Sequence, residues 1–285
     1  MAVSSPWTLR DGVAVLTGAA SGIGAALAVE LARQGMHLAL VDRDAAGLAA
    51  AAERAAPAGT RITQHVIDLA ASDARSAIAA LPQAVQALHG RATVLVNNAG
   101  VAVGGSFDQV SEDDFDWLMR VNFEAPVRLC RAFLPLLARQ PAAQVVNVSS
   151  IFGIVAPPGQ TAYCASKFAV RGFSESLRHE LQAAASPVGV TVVHPGGVRT
   201  AIAENARLPA GVDATLLAEQ QATWRKLLTL SPEAAAARIA QGIARREPRV
   251  LVGQDAVRAA WLQRFFPVGY WKHAARDILR RTGRA

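Results

Sequence analysis

The sequence predicts an α/β fold, in which a doubly wound parallel sheet of about seven strands is flanked by helices and followed by a C-terminal helical extension. Short apolar runs alternate with helix-patterned segments along the chain. These runs are apolar throughout rather than at every second position, which is typical of strands covered on both faces. The chain has 285 residues, 52% of them hydrophobic, and can bury such a sheet.

In the first half of the chain, strands are predicted at residues 13–17, 37–41, 63–67 and 93–96. Helices are predicted at residues 25–34, 45–56 and 72–89. Gly35 is suited to cap the first helix and Pro57 to stop the second. Pro82 predicts a break or a restart inside the third helix.

In the second half, strands are predicted at residues 145–148, 190–193 and 249–252. Ser111 and Asp114 form a partial capping box for a helix that runs towards Arg139, interrupted near Pro126. A long helix is predicted at residues 163–183, and Ser231 begins another with Pro at its first position. We predict one catalytic domain at 1–253, with a substrate loop at about 201–230, and the extension at 254–285.

Cysteine usage and the absence of apolar segments favour a cytoplasmic protein. Cys130 and Cys164 are expected to be free thiols, and no spacing typical of metal ligands occurs, so no metal is expected. No apolar run reaches the roughly 18–20 residues needed to span a bilayer. The first ten residues also lack a basic segment followed by an apolar stretch.

The net charge of +7 lies entirely in residues 245–285, which hold ten basic and three acidic side chains. A solvated helical face explains this excess, and we expect no nucleic-acid binding, because no recognition module is visible. An acidic partner or a membrane surface is the alternative.

A glycine-rich turn lies between the first strand and the first helix. Its spacing, Gly-x-x-x-Gly-x-Gly, suits a loop whose backbone approaches a pyrophosphate at a helix N-terminus. This position indicates a dinucleotide-binding, Rossmann-type sheet, although a glycine-rich turn alone is a weak signal. The residues expected to contact the cofactor here are Gly18, Ser21, Gly22, Ile23 and Gly24.

Asp42 ends the second strand, where a carboxylate can accept hydrogen bonds from both hydroxyls of the adenosine ribose. It would repel a 2′-phosphate, so the sequence favours NAD(H). Arg43 is adjacent and could bind that phosphate, which leaves NADP(H) as the alternative. Asp42 as a helix cap or turn residue is the structural alternative.

Tyr163 and Lys167 stand four residues apart on one predicted helix and therefore share a face. A tyrosine with a pKa of about 10 is a poor base at neutral pH, and a nearby ammonium would lower that pKa. Ser150 ends the fifth strand at the carboxyl edge of the sheet, where ligands collect. Its neighbour Ser149 is the alternative hydroxyl.

In these features the chain resembles the short-chain dehydrogenase/reductase family, in the branch with one compact domain. The resemblance covers about residues 11–200 in family order. It rests on TGAASGIG at 17–24, Asp68, NNAG at 97–100, Asn122, Ser150, YCASK at 163–167 and HPGGVRT at 194–200.

The resemblance implies an NAD(P)-dependent oxidoreductase that moves a hydride between nicotinamide and an alcohol or ketone carbon. Tyr163 would be the general acid or base, and Lys167 would lower its pKa and bind the nicotinamide ribose. Ser150 would bind the reacting oxygen, and Asn122 would anchor a water linking Lys167 to solvent. The implied cofactor contacts are Asp68 and Leu69 near the adenine, Asn98, Ala99 and Gly100 in the cleft, and Pro195, Gly196, Val198 and Thr200 around the nicotinamide. A homodimer or homotetramer, packed through the helices of Asn122 and Tyr163, is also implied.

The substrate loop favours a hydrophobic secondary alcohol or ketone. Arg199 and Arg207 are the candidate anion binders, and the apolar loop residues are Leu208, Leu216, Leu217, Trp224 and Leu228. The alternative is that these apolar residues simply pack on the sheet. Rival functions are a 3-oxoacyl-carrier or acyl-thioester reductase and a non-catalytic dinucleotide-binding sensor.

The extension departs from the compact family pattern. Aromatic and aliphatic residues alternate with basic ones at helical spacing, and Pro267 divides two predicted helices. They are Trp261, Leu262, Phe265, Phe266, Tyr270, Trp271, Ile278 and Leu279, with Arg258, Arg264, Lys272, Arg276 and Arg280. Such helices could contact a membrane peripherally, cover the substrate cleft or pack on a neighbouring subunit.

Overall fold

The computed structural model describes residues 7–209 and 226–282. Within them, seven parallel strands form one sheet in the order β3-β2-β1-β4-β5-β6-β7, which confirms the predicted fold class. The strands are β1 (Val13–Thr17), β2 (His37–Asp42), β3 (Ile62–Val66), β4 (Val94–Asn97), β5 (Ala143–Val148), β6 (Val188–Pro195) and β7 (Arg249–Val252).

Helices cover both faces of the sheet. They are α1 (Gly22–Arg33), α2 (Ala45–Ala55), α3 (Ala74–His89), α4 (Glu112–Met119), α5 (Ala125–Leu137), α6 (Thr161–Ala183), α7 (Pro232–Ala244), α8 (Gln254–Phe265) and α9 (Tyr270–Thr282). A π-helical turn (Arg120–Glu124) joins α4 to α5, and short 3₁₀ turns follow α2 (Ala56–Ala58) and β5 (Ile151–Gly153).

The strands are apolar throughout because each face of the sheet carries its own core. In β1, Ala14 and Leu16 pack with residues of α1, α2 and α7. Val13 and Val15 point the other way and pack with residues of α3 and α5. All four side chains are at most 1% exposed, so a polar residue at either set of positions would be buried.

The capping predictions are confirmed. Gly35 follows α1 in the left-handed region at φ 85°. The Ser111 hydroxyl accepts the Asp114 N–H at 3.1 Å at the start of α4, and the Ser231 hydroxyl accepts the Ala234 N–H at 3.1 Å at the start of α7. The predicted interruption near Pro126 is present as the π-helical turn that ends just before α5.

The predicted break at Pro82 is wrong, because α3 continues through it from Ala74 to His89. Ile78, Leu81 and Val85 lie at helical spacing around the proline, and each is at most 3% exposed against the sheet. Burial of this apolar face holds the helix together although Pro82 cannot donate to the carbonyl one turn earlier.

The extension is helical as predicted, and α8 and α9 are separated at Pro267. In the described residues, no helix is both long and apolar enough to cross a bilayer. Three residues of the predicted substrate loop, Leu216, Leu217 and Trp224, lie outside the described residues. In the extension, the side chains of Ile278, Leu279 and Arg280 also lie outside the described part of the chain.

We predict that Pro82→Ala raises the free energy of unfolding by about 2 kcal/mol. An interior helical proline costs about 3 kcal/mol, and the more flexible unfolded chain of the variant offsets about 0.4–1 kcal/mol of the gain. Urea unfolding measures the change. Pro232→Ala is the matched control, because a proline in the first turn of α7 loses no helical hydrogen bond and should give no gain. An equal change in both variants, or a loss in Pro82→Ala, would contradict this explanation.

Candidate active site

A cavity of about 1290 Å³ lies along the carboxyl ends of the strands. It exceeds the roughly 300–1,000 Å³ of an ordinary small-molecule pocket and has room for a large ligand beside a small one. Every residue predicted to contact a cofactor lines it, as do Ser150, Tyr163 and Lys167. Asn122 is the one predicted site residue that lies behind the cavity wall, 1% exposed.

The glycine loop is pressed against the segment that follows β4. Gly18 adopts φ 66°, and a Cβ at this position would lie 2.7 Å from the Ala99 Cα, so only glycine fits. At the other end of the loop, Ser21 precedes α1 without a side-chain capping bond. The first N–H groups of α1 therefore have no partner within the helix and lie at the cavity wall, which is an arrangement that binds anions.

Asn98 fastens this loop to β4. Its side-chain amide donates to the carbonyl oxygens of Thr17 at 3.0 Å and Gly18 at 3.1 Å, and its own N–H donates to the Thr17 hydroxyl at 3.1 Å. The two strand ends that flank the cavity are thus held together by one side chain.

Asp42 faces the cavity at the end of β2. One carboxylate oxygen accepts the Ala20 N–H at 3.0 Å and the other accepts the Asp44 N–H at 3.2 Å, which leaves further acceptor positions free. The helix cap of α2 is Asp44, which accepts the Gly47 N–H. The capping alternative for Asp42 is therefore wrong, because its neighbour has that role. Arg43 lies exposed at the cavity rim.

Asp68 and Leu69 lie on the wall next to β3. Asp68 is exposed, and its carboxylate accepts the Ala70 N–H at 2.9 Å, while Leu69 is 8% exposed. Together with Asp42 they define the end of the cavity farthest along the sheet from β7.

Tyr163 lies in the first turn of α6, with its ring against the edge of Phe152 at a centroid distance of 6.2 Å. Burial raises the pKa of Tyr163 to about 12, and a hydrogen bond with the Ser150 hydroxyl pulls the pKa the other way. The phenol is therefore neutral near pH 7 in this structure.

Lys167 lies one turn along α6, only 3% exposed. Its ammonium donates to the Val148 carbonyl at 3.2 Å and lies 5.6 Å from the centroid of the Tyr163 ring. Burial lowers the pKa of Lys167 to about 8. Burial is the largest influence on the pKa of both groups, and the lowering of the Tyr163 pKa by Lys167 stays a prediction.

The two serines after β5 have separate roles. The Ser149 hydroxyl donates to the Lys167 carbonyl at 2.8 Å and so fastens β5 to α6. The Ser150 hydroxyl accepts the Phe152 N–H at 3.1 Å and contacts the phenol of Tyr163, and its carbonyl pairs with His194 Nδ1 at 2.9 Å. Of the two, Ser150 is the hydroxyl placed beside Tyr163.

Asn122 sits in the π-helical turn, a distortion often found at functional sites. Its amide oxygen accepts the Val101 N–H at 2.8 Å, and its nitrogen donates to the Val101 carbonyl at 2.9 Å and to the Ser166 hydroxyl at 3.1 Å. A Cβ on Gly100 would lie 3.3 Å from the Lys167 ammonium and 3.4 Å from the Asn122 oxygen. Gly100 thus keeps open the space between these two groups, where the implied water link stays a prediction.

Asp255, in the first turn of α8, is a site residue that the sequence reasoning missed. Its carboxylate accepts the Gly197 N–H at 2.6 Å and so holds the turn after β6 that lines the cavity. The only sequence signal is an acidic residue just after the last strand, at the start of a helix. Leu262 and Trp271 were placed in the extension and also line the cavity.

Neither arginine expected to hold an anionic substrate lines the cavity. The Arg207 guanidinium pairs with Asp114 at 2.9 Å and stacks on Trp117, with its central carbon 3.6 Å from the ring centroid. Arg199 is likewise absent from the lining, whereas Arg258 of α8 lies at the mouth. The apolar part of the lining includes Val103, Trp117, Val155, Leu208, Leu227, Leu228, Leu262 and Trp271.

Cys130 and Cys164 are free and buried, as expected. Burial raises the pKa of Cys130 to about 12 and that of Cys164 to about 11, so neither thiol is activated although Cys164 adjoins Tyr163. In the part of the chain that the structure describes, no group of three His, Cys, Asp or Glu side chains is placed to hold a metal ion.

The sheet order, the glycine loop at the first helix and the polar groups at the carboxyl edge define a dinucleotide-binding α/β protein of Rossmann type. Residues 12–210 match the family model of the short chain dehydrogenases. The chain belongs to this family of oxidoreductases, as its motifs predict.

Relatives and solved structures agree with this assignment. The putative oxidoreductase SadH of Mycobacterium tuberculosis is 41% identical over 266 residues, which are 93% of this chain and 95% of that protein. A short-chain dehydrogenase/reductase from Burkholderia phymatum, solved in complex with NAD, is 30% identical with a TM-score of 0.81 over 90% of this chain and 94% of that one. A metagenomic short-chain oxidoreductase in complex with NADP is 32% identical with a TM-score of 0.68, over 85% and 97%.

The lowered pKa of Lys167 predicts a pH-dependent stability difference between the protein and Lys167→Met. The ammonium pKa is about 8 in the folded chain and about 10.4 in the unfolded chain. Between these values the unfolded chain binds more protons, so the contribution of Lys167 to stability rises with pH. Any stability advantage of Lys167→Met should therefore be largest below pH 8 and shrink towards pH 10.4, by at most about 1.4 kcal/mol per pH unit.

Chemical denaturation at several values of pH, without added ligand, measures this difference. Lys272→Met is the matched control for removal of a lysine charge, because Lys272 is exposed. A flat difference for Lys167→Met would show that burial does not control its charge.

Proposed function

We propose that the chain is an NAD(P)-dependent oxidoreductase that transfers a hydride between nicotinamide and a hydrophobic secondary alcohol or ketone, with Tyr163 as general acid or base. The observation that carries this proposal is that Ser150, Tyr163 and Lys167 all line the cavity that begins at the glycine loop, with the Lys167 ammonium 5.6 Å from the centroid of the Tyr163 ring. A proton donor, a hydroxyl partner and a buried cation meet there at the carboxyl edge of the sheet.

The residues present fit a dinucleotide. The first turn of α1 offers unpaired N–H groups to a pyrophosphate. Asp42, at the end of the neighbouring strand β2, offers carboxylate oxygens to a ribose. Asp68 and Leu69 would border the adenine, and the turn held by Asp255 would border the nicotinamide. The relatives with bound NAD and NADP support the same class of cofactor.

NAD(H) is the proposed preference. The Asp42 carboxylate is fixed by two backbone N–H groups and points its charge at the cavity, where a 2′-phosphate would meet repulsion. Arg43 at the rim is the group through which NADP(H) could still bind.

When bound, the nicotinamide supplies or accepts the hydride. Tyr163 would transfer the proton, since its phenol, whose pKa is raised to about 12, is neutral near pH 7 and can donate to a carbonyl oxygen as that oxygen gains negative charge. The Ser150 hydroxyl would orient the same oxygen. In the oxidation direction Tyr163 must first lose its proton, and the Lys167 ammonium on the same helix face is the group that would stabilise the phenolate.

An apolar substrate is proposed from the lining of the cavity beyond Tyr163. Trp117, Val155 and Leu262 contribute apolar surface there, and Arg207 is occupied by Asp114. A homodimer or homotetramer, packed through the helices of Asn122 and Tyr163, is part of the same proposal.

The serine pair provides the sharpest test of the proton-transfer assignment. We expect Ser150→Ala to lower kcat by about 10²–10³-fold and Tyr163→Phe by about 10²–10⁴-fold. Ser149→Ala should lower kcat by less than about tenfold. The Ser149 hydroxyl only fastens β5 to α6, and a typical net hydrogen bond contributes about 1 kcal/mol. Initial rates over a panel of hydrophobic and polar alcohols and ketones measure the effects.

Tryptophan fluorescence on addition of NADH serves as the folding and binding control for these variants. A larger loss in Ser149→Ala than in Ser150→Ala would contradict the assignment. Turnover of acyl thioesters alone would favour the 3-oxoacyl-carrier alternative. Cofactor binding without turnover of any substrate would favour the sensor.

The cofactor preference gives an independent prediction. We expect Asp42→Asn to lower the ratio of kcat/KM with NAD⁺ to that with NADP⁺ by at least about tenfold, because hydrogen bonds to a charged group contribute about 1.5–3 kcal/mol. Arg43→Gln should raise the same ratio, because it removes the candidate partner of a 2′-phosphate. A wild-type ratio that favours NADP⁺ would contradict the preference for NAD(H), and a ratio that falls in Arg43→Gln would contradict the role given to Arg43. Neither result affects the assignment of Tyr163.

A further inference from the structure

The hairpin formed by α8 and α9 exposes a cluster of large apolar side chains at its tip. Trp261 is 57% exposed, Phe265 64%, Phe266 47% and Val268 93%. The rings of Trp261 and Phe265 stack at 5.6 Å, with an angle of 8° between their planes. We refer to these four residues as the apolar tip. Isolated exposed apolar residues are common, but a contiguous patch of this kind marks an interaction site.

Exposed cations lie on the same two helices as the apolar tip. Arg264, Lys272 and Arg276 are exposed on the same two helices, and none of them takes part in the salt bridges found among the described side chains. Residues 254–285 contain seven Arg or Lys and two Asp or Glu. One of those acids, Asp255, is committed to the Gly197 N–H. The hairpin therefore carries an excess of positive charge together with its apolar tip.

We propose that the apolar tip inserts into the interface of an anionic lipid membrane, with the surrounding cations on the lipid headgroups. Aromatic side chains at headgroup level and Lys or Arg beside them are the combination that binds such a surface. Symmetric packing of the apolar tip on a second copy would bring the same cations face to face, so charge disfavours that occupant. Val268 and the two phenylalanines flank Pro267 at the bend between α8 and α9, and their high exposure leaves these side chains free to insert.

The hairpin is fastened to the catalytic domain, so docking would orient the cavity. Asp255 holds the turn after β6, and the Tyr270 hydroxyl accepts the Ala156 N–H at 3.0 Å. Leu262 and Trp271, which line the cavity, lie on the same helices as the apolar tip. The mouth would thus open beside the lipid, and an apolar substrate could enter from the bilayer. That last consequence rests on the proposed function, whereas the docking does not.

Vesicle flotation of the full chain tests the docking directly. The probes are phosphatidylcholine vesicles with and without about one third phosphatidylglycerol, at low and at high salt. The protein should float with the anionic vesicles at low salt, float less at high salt and remain unbound with neutral vesicles.

Two double variants separate the apolar and the charged contributions. Trp261→Ser with Phe265→Ser should weaken partitioning at least about tenfold, because both rings lose their burial in the lipid. Arg264→Glu with Lys272→Glu should weaken it at least about 20-fold, since each cation near an anionic surface contributes about 1 kcal/mol. The matched control is Leu88→Ser with Arg75→Glu on α3, where Leu88 is 49% exposed, and this variant should float like the wild type.

Thermal unfolding checks that each variant folds, and flotation needs no turnover, so failure of the docking is distinguishable from failure of the proposed function. The proposal is overturned if the wild type does not float. It is also overturned if the wild type, the control variant and both double variants all float to the same extent. If the wild type does not float and Trp261→Ser with Phe265→Ser lowers its mass by light scattering, the apolar tip is instead an interface between copies. Retention of single-stranded nucleic acid, lost in both double variants and without flotation, would assign the surface to nucleic acid.

Discussion

The rest of the site depends on the adjacency of β1 and β4 in the middle of the sheet. After β1 the chain turns to one face to form α1, and after β4 it turns to the other face towards α4 and α5. The divergence opens a crevice at the carboxyl edge that no side chain of the sheet fills. The Asn98 side chain joins the two sides of this crevice, because it follows β4 and donates to the carbonyl oxygens of Thr17 and Gly18 at the end of β1. The glycine loop, the β5 serines and the first turn of α6 acquire their roles by facing this one opening.

Burial is the largest influence on the pKa of both Tyr163 and Lys167. Tyr163 and Lys167 lie in one wall, and removal from water disfavours the charged form of each, so the phenol pKa rises and the ammonium pKa falls. Burial of the Lys167 ammonium carries an electrostatic penalty that the surrounding apolar core must offset. The Ser149 hydroxyl binds the Lys167 carbonyl and the Val148 carbonyl binds the Lys167 ammonium. These two bonds fix the charged group in place between β5 and α6.

Much of the fold was predictable because its signals are local. Strands buried on both faces must be apolar throughout, and caps such as Ser111 and Ser231 mark helix starts by hydrogen bonds within four residues. The glycine loop and the Tyr163–Lys167 spacing placed two parts of the cavity wall, and the family resemblance supplied Asp68, the segment 98–100 and the segment 195–200. Pro82 was misleading, because a local helix breaker was overridden by burial of the face around it.

What escaped the sequence depends on contacts between distant segments. Asp255 reaches the site only because α8 packs next to the turn after β6, and Arg207 is neutralised by Asp114, a partner 93 residues away. The role of Asn122 likewise requires the π-helical turn that aims its amide at Val101. Periodicity and spacing contain no trace of these pairings, and only the folded chain displays them.

The central claim, that this cleft transfers a hydride with Tyr163 as the proton donor or acceptor, is tested most directly by isotope transfer. The chain would be incubated with NAD⁺ and apolar secondary alcohols that bear deuterium on the carbinol carbon, and the reduced cofactor would be analysed by mass spectrometry. The account predicts deuterium on the nicotinamide ring with the wild type and none above background with Tyr163→Phe. Equal label in both proteins would contradict the role of Tyr163, and bound NAD⁺ that acquires no label from any alcohol would contradict the proposed reaction.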